Sequence, residues 1–158
     1  MAAPTPTPRV IPVGFKQPDG FKTLITLSSN PAIQLWEKTV KPPGIDGGEK
    51  IDTTTMLNTT WRTFAQRQLR TLVDSTAACA YDPDVFTALV AEVNLPQTIT
   101  ITFPDKSTLA FYGFMQKAEA QENKEGEMPM VDVTITPTNW DYVNGVEAAP
   151  TFTPAAGT

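Results

Sequence analysis

Apolar and polar residues alternate with a period of two over much of this chain, most clearly in its last third. Gln97–Phe103 (QTITITF) sets Ile99, Ile101 and Phe103 against Thr98, Thr100 and Thr102. Met128–Thr138 (MPMVDVTITPT) sets Val131, Val133 and Ile135 against Asp132, Thr134 and Thr136. Successive side chains of a strand point to opposite faces, so each run predicts a strand with one buried face. Pro104–Ser107 (PDKS) predicts a hairpin turn, and Thr108–Gln121 returns as a long strand. That strand breaks the rule, carrying Leu109, Phe111 and Met115 on one face and Tyr112 and Phe114 on the other. Two apolar faces require a covering layer on the outer side, from the same chain or from another subunit. The acidic loop Glu122–Glu127 turns the chain into the final strand.

Upstream, Phe21–Ser28 and Ile33–Lys41 predict two strands broken at Asn30-Pro31. In the second, Trp36, Lys38 and Val40 fall on one side, and Leu35, Glu37 and Thr39 on the other. Leu57–Ala65 reads as a strand, and Arg67–Tyr81 as one long strand or a bulged one. Pro83–Val93 is the clearest switch to helical spacing, with Val85, Phe86, Leu89, Val90 and Val93 on its apolar face and Thr87 and Glu92 turned away. Asp82 fits the N-cap, Pro83 the first turn, and Asp84 the positive end of the helix dipole. Asn94 and Pro96 stop it.

Val40–Met56 (VKPPGIDGGEKIDTTTM) follows neither period. A polar excursion of this length inside a compact domain is uncommon and is usually functional or disordered. It reads as an arm reaching for another protein. The domain plan is therefore an extended Pro-rich arm over 1–20, a β domain over 21–140 carrying the long loop 42–56, and a flexible Ala/Pro/Gly/Thr tail over 141–158.

The chain has 158 residues, no histidine and one cysteine, Cys79, which excludes an internal disulfide and a Cys–His nucleophile. A net charge of −5 argues against a sequence-independent grip on phosphates, which needs clustered Lys and Arg. The first residues lack the apolar stretch of a signal peptide, and no apolar run approaches the ~20 residues of a membrane helix. A soluble, intracellularly made domain is expected. Gly44–Lys50 departs from a phosphate loop, since Glu49 precedes Lys50 and Ile51 follows it. Asp46 and Asp52 lack the alternating oxygens of a calcium loop. Asp82 and Asp84 are explained by helix capping, and Asn58-Thr59-Thr60 is a chance sequon. No catalytic, metal or cofactor residue is assigned.

Several segments in order carry a resemblance: Lys41–Gly48 (KPPGIDGG), Ile51–Met56 (IDTTTM), Thr60–Thr63 (TWRT), Ala80–Pro83 (AYDP), Phe103–Asp105 (FPD), Leu109–Phe114 (LAFYGF) and Val133–Asn139 (VTITPTN). In this order and spacing, over about residues 35–140, the chain resembles the major tail tube proteins of long-tailed bacteriophages. The resemblance implies a mainly β fold: an antiparallel β-sandwich or half-barrel with one flanking helix, which completes a β-barrel tube on oligomerisation. It implies a non-enzymatic virion protein, assembled in the host bacterial cytoplasm as stacked hexameric rings through which genome DNA passes without specific binding. Expected partners are further copies of the chain and the tape measure, tail terminator and distal tail or initiator proteins. The subunit and ring contacts are expected at Gly44, Ile45, Asp46, Gly47, Gly48, Ile51, Asp52, Thr54 and Met56, with Trp61, Arg62 and Phe111. The channel lining is expected at Gln116, Glu119, Asp132, Thr134 and Thr136, an acidic, polar surface. Exposed Trp36, Trp61 and Tyr112 also suit a free-standing carbohydrate- or receptor-binding β-sandwich module, the competing reading.

Overall fold

The computed structural model describes residues 22–33 and 35–155; the expected arm over 1–20 lies outside them. Among the described residues the architecture is mainly β and antiparallel, with a single helix. Strands β1 (Leu24–Leu27), β2 (Glu37–Lys41), β7 (Ser75–Ala80), β8 (Gln97–Thr102), β9 (Thr108–Ala120) and β10 (Met130–Pro137) form one sheet in the order β1-β8-β9-β10-β7-β2. Between β2 and β7 lie the two-residue strands β3 (Ile45–Asp46), β4 (Ile51–Asp52), β5 (Phe64–Ala65) and β6 (Thr71–Leu72). After β10 come β11 (Trp140–Asp141), β12 (Val146–Glu147) and β13 (Thr151–Thr153).

The period-two runs bury the face that their pattern dictates. Ile99, Ile101, Phe111, Met115, Val133 and Ile135 are all at most 2% exposed and form the centre of the core. The register puts Ile99 opposite Phe111 and Ile135 opposite Met115, so cross-strand pairs stack on one face. The sheet curls around this core: the backbone N–H of Ile25 on edge strand β1 donates to Glu37 Oε1 on the other edge strand at 2.9 Å. It is a half-barrel and not a closed one.

Helix α1 (Pro83–Glu92) starts as its sequence dictates, with Asp82 Oδ1 accepting the Asp84 N–H at 3.0 Å and Pro83 in the first turn. Leu89 is the side chain it buries fully. Two expectations for this helix are corrected. Val90 is 57% exposed, and Glu92, expected to face water, is buried. The reason is a pair of donors: Glu92 accepts hydrogen bonds from Ser29 Oγ and Gln97 Nε2, which satisfy a carboxylate that would otherwise be costly to bury.

Other readings shift as well. Leu57–Ala65 is mostly turn and irregular, with β5 alone at its end, and Arg67–Tyr81 divides into β6 and β7. A bulge between Glu37 and Thr39 resets β2, so that Val40 packs on the core together with Leu35 and not with Trp36. Within residues 141–155, β13 lies antiparallel to β9, with Phe152 opposite Leu109. It continues the place that β10 vacates after Pro137, which pairs Gly113.

Candidate functional site

Residues 42–74 leave the body where β2 ends and return where β7 begins. Two short ladders hold them as an arm: Ile45 pairs Leu72 nearer the body, and Ile51 pairs Ala65 further out. Each ladder starts with Ile-Asp, and each aspartate closes a local turn. Asp46 Oδ1 accepts the Gly48 N–H at 2.8 Å, and Asp52 Oδ1 accepts the Thr54 N–H at 2.9 Å. Such Asx turns spare the chain a longer ladder. The Thr54 bonds hold the Asp52 carboxyl below the ordinary carboxylate range. Gly48 adopts φ +79°, open to glycine, and Arg67 crosses it to donate from Nε to the Glu49 carbonyl at 2.9 Å. Thr53 and Thr63 join backbone and hydroxyl groups, and Asn58 Nδ2 donates to the Trp61 carbonyl.

The arm is well bonded and poorly buried. Met56, Leu57, Trp61 and Leu69 are each at least 80% exposed. Large apolar side chains concentrated on one projecting segment mark an interaction surface. Of the contact residues expected from sequence, the structure brings Gly44 to Met56 together with Trp61 and Arg62 on this one arm, all exposed, with Arg62 3.9 Å from Asp52. Phe111 stands apart, at 2% exposure inside the half-barrel, where its partner is Ile99. Sequence reasoning left out the returning limb, where Leu69 and Arg70 are exposed. The run Gln66–Arg70 is polar enough to have signalled it.

The second surface is the outer face of β9, β10, β7 and β2. Glu119 and Asp132 are register partners, Thr134 lies opposite Lys117, and Thr136 opposite Phe114. A bulge leaves Gln116 as the extra residue, and it accepts a 2.9 Å hydrogen bond from Thr136 Oγ1. The five residues expected to line a channel thus share one face. Its charge differs from expectation. Lys117 pairs with Glu119, Asp132 accepts from Gln121 Nε2, and Lys41 lines the same shallow concavity. The face is charge-balanced and threonine-rich rather than acidic. Trp36, Trp61 and Tyr112 do not form a platform. Trp36 bonds Asp82 beside the helix, Trp61 lies on the arm, and Tyr112 is half-buried on β9.

Among the described residues no cluster of ligands could hold a metal ion, and no helix is long and apolar enough to cross a membrane. Burial, more than the nearby Glu37 and Asp132 charges, pushes the Cys79 thiol up to about 12, a protonated and inert state.

No family model and no curated protein matches the chain. Its fold does match chains of gene transfer agent and anti-feeding prophage particles. A chain from the tail of an empty gene transfer agent particle, solved with C6 symmetry, superposes with TM-score 0.60 and 13% identity, covering 86% of this chain and 98% of that one. A chain from the virion of a native gene transfer agent particle gives TM-score 0.58 and 14% identity, over 86% and 98%. A chain of the six-fold symmetrised baseplate of an anti-feeding prophage gives 0.52 and 7%, over 84% and 91%. The protein shares its fold with these chains.

Proposed function

We propose that this protein is a structural tail tube protein. In this reading six copies close a ring, rings stack into a tube, and the tube conducts double-stranded DNA into the host. The observation that carries it is an arm whose large apolar side chains no single copy buries, attached to a half-barrel with open edges. An unpaired edge templates pairing with another chain, and closed assembly removes the edge. The fold shared with a chain of a gene transfer agent tail solved with C6 symmetry and a chain of a six-fold symmetrised prophage baseplate supports the same reading. Contacts of this obligate kind bury on the order of 2,000 Å² or more.

The arm, from Gly44 to Met56 with Trp61 and Arg62, supplies contact between subunits or rings, and the protein works within the virion beside tape measure, terminator and initiator proteins. The face bearing Gln116, Glu119, Asp132, Thr134 and Thr136 lines the channel. There Lys117 is occupied by Glu119, so no free basic row is offered to phosphates and DNA is not held by counterion release. Replacing Asp132→Lys and Glu119→Lys together creates such a row, and genome release from particles slows; unchanged release removes this face from the channel.

Size-exclusion chromatography with negative-stain microscopy tests the assembly reading. Rings or tubes are expected from the purified protein or on addition of tail initiator. A glycan-binding monomer under both conditions would favour the accessory-module reading instead. Deleting Gly44–Thr54 should abolish assembly; normal tails from that deletion refute the role of the arm.

A further inference from the structure

We infer that the returning limb of the arm docks on a specific patch of a second copy: the end of the sheet where the β9–β10 hairpin turns. This rests on the self-assembly reading above and names the surface that receives the arm. The two features are complementary in charge and in apolar content, and they sit at different ends of the same strands.

The limb comes first. Between Leu57 and Leu72 the only charged residues are Arg62, Arg67 and Arg70, and no acid interrupts them. Leu57, Trp61 and Leu69 stand exposed among these cations. Arg62 has only the long, exposed contact to Asp52, and Arg70 forms no ion pair among the described residues. Arg67 is engaged in holding the arm through Glu49. Two cations and three large apolar groups are thus left for a partner.

The receiving patch has the opposite charge. Trp36, Tyr81 and Met128 are each 40–51% exposed. The backbone draws them together: the Ala80 N–H donates to the Trp36 carbonyl at 2.8 Å, and the Tyr81 N–H to the Pro129 carbonyl at 2.9 Å. Trp36 Nε1 is bound by Asp82, and the Tyr81 ring lies 5.7 Å from that of Phe86. Asp82 bonds this apolar centre directly; Asp84 follows it in the first turn of the helix, and the turn between β9 and β10, which holds Met128, carries Glu122, Glu125 and Glu127 against Lys124 alone.

Register fixes where the two features lie. Ala80 pairs Met130 at the hairpin end, whereas Ser75 pairs Ile135 and Thr76 pairs Lys41 at the end from which the arm leaves. Five residues of strand separate these ends, about 17 Å at the usual rise per residue. A contact between different surfaces of identical copies is heterologous, so it repeats head to tail. An apolar centre with a complementary charged rim also fits a specific interface, the charges setting register and encounter.

A charge-swap experiment on the full chain tests this. Arg62→Glu with Arg70→Glu, and separately Glu122→Lys with Glu125→Lys, should each raise the concentration needed for assembly by about tenfold or more, read by sedimentation and microscopy. Circular dichroism should stay unchanged, because all four side chains are exposed. The two variants mixed one to one, or all four changes in one chain, should recover assembly. Raised salt should weaken the wild-type contact through screening. If the wild type assembles and the limb variant does so equally well, or if the swap restores nothing, the docking is overturned while the tail reading stands. A wild type that stays monomeric, even with tail initiator, overturns both.

Discussion

Glu37 on one edge strand accepts the backbone N–H of Ile25 on the other at 2.9 Å, so a side chain ties the sheet where a closed barrel would have a ladder bond. Burial raises the Glu37 carboxyl above its ordinary 4.5, with backbone hydrogen bonds, that of Ile25 first, opposing the shift. A raised folded-state pKa means that the folded protein binds the proton more tightly. Its contribution to stability is present below the ordinary value and is lost as pH rises through the raised one. Glu37→Gln keeps an acceptor and removes the charge. It should match the wild type near pH 4 and exceed it at neutral pH, in urea unfolding across that range. Glu37→Ala leaves Ile25 without its partner and should cost about 1 kcal/mol. Parallel pH profiles for wild type and Glu37→Gln would show that the carboxyl is not raised, and an unchanged Glu37→Ala stability would remove the tie from the account.

Gly113 marks the other close approach in the sheet. A Cβ there would lie 2.6 Å from the Thr136 carbonyl oxygen and 3.2 Å from Pro137 Cα, both backbone atoms. Neither can swing aside as a side chain could, so β9 and β10 must separate beside the bulge. Gly113→Ala should destabilise the protein by about 1–3 kcal/mol, the usual cost of overpacking. Gly47→Ala has open space around it and serves as the control, with an unchanged thermal midpoint.

These relationships differ in how far the chain announces them. The strands β8, β9 and β10 are legible because alternation is a local property: Ile99 and Ile101 must share a face whatever they pack against. The helix start is legible for the same reason, since Asp82 and Pro83 act on their own neighbours. Glu92 is not, because its burial depends on Ser29, 63 residues away. The bulge in β2 is equally hidden, as nothing within residues 33–41 states that Lys38 is the one left out of the ladder. The arm is visible as a region without a period. Its two Ile-Asp ladders are not, since their partners at Leu72 and Ala65 lie 27 and 14 residues on. Strand β13 depends on a vacancy beside Leu109 that only the departure of β10 creates.

Cys79 offers a readout of global opening. It is 2% exposed between Glu37 and Val131 in register, and its thiol is pushed up to about 12, chiefly by burial. The thiolate is the reactive species, so at pH 8 a disulfide reagent can modify this cysteine only when the sheet opens. Native protein should therefore remain unlabelled while denatured protein takes up one equivalent. Prompt labelling in native buffer would mean that β2 detaches readily from β7.

Trp61 and Leu57 separate the stability of a copy from its assembly. At 80% and 90% exposure they are surrounded mainly by water in the single chain, so truncation removes almost no packed surface. Exposed substitutions that leave the backbone hydrogen bonds in place usually stay within about 0.5 kcal/mol, and the turn around Leu57 is held by the Leu57 and Asn58 backbone N–H groups on Thr55, not by the leucine side chain. Trp61→Ala and Leu57→Ala should thus leave the unfolding midpoint unchanged, with the Trp61 carbonyl still able to accept from Asn58. Buried in an interface, the same side chains become anchors, and aromatic anchors account for a large share of binding energy, about 2 kcal/mol or more when truncated. Assembly should accordingly weaken by more than tenfold in Trp61→Ala, measured by sedimentation beside the unfolding curve. A variant that melts early has lost its arm structure and not its partner. One that melts normally and assembles normally shows that this tryptophan faces solvent in the particle as well, leaving Met56 and Leu69 as the apolar groups the arm can insert.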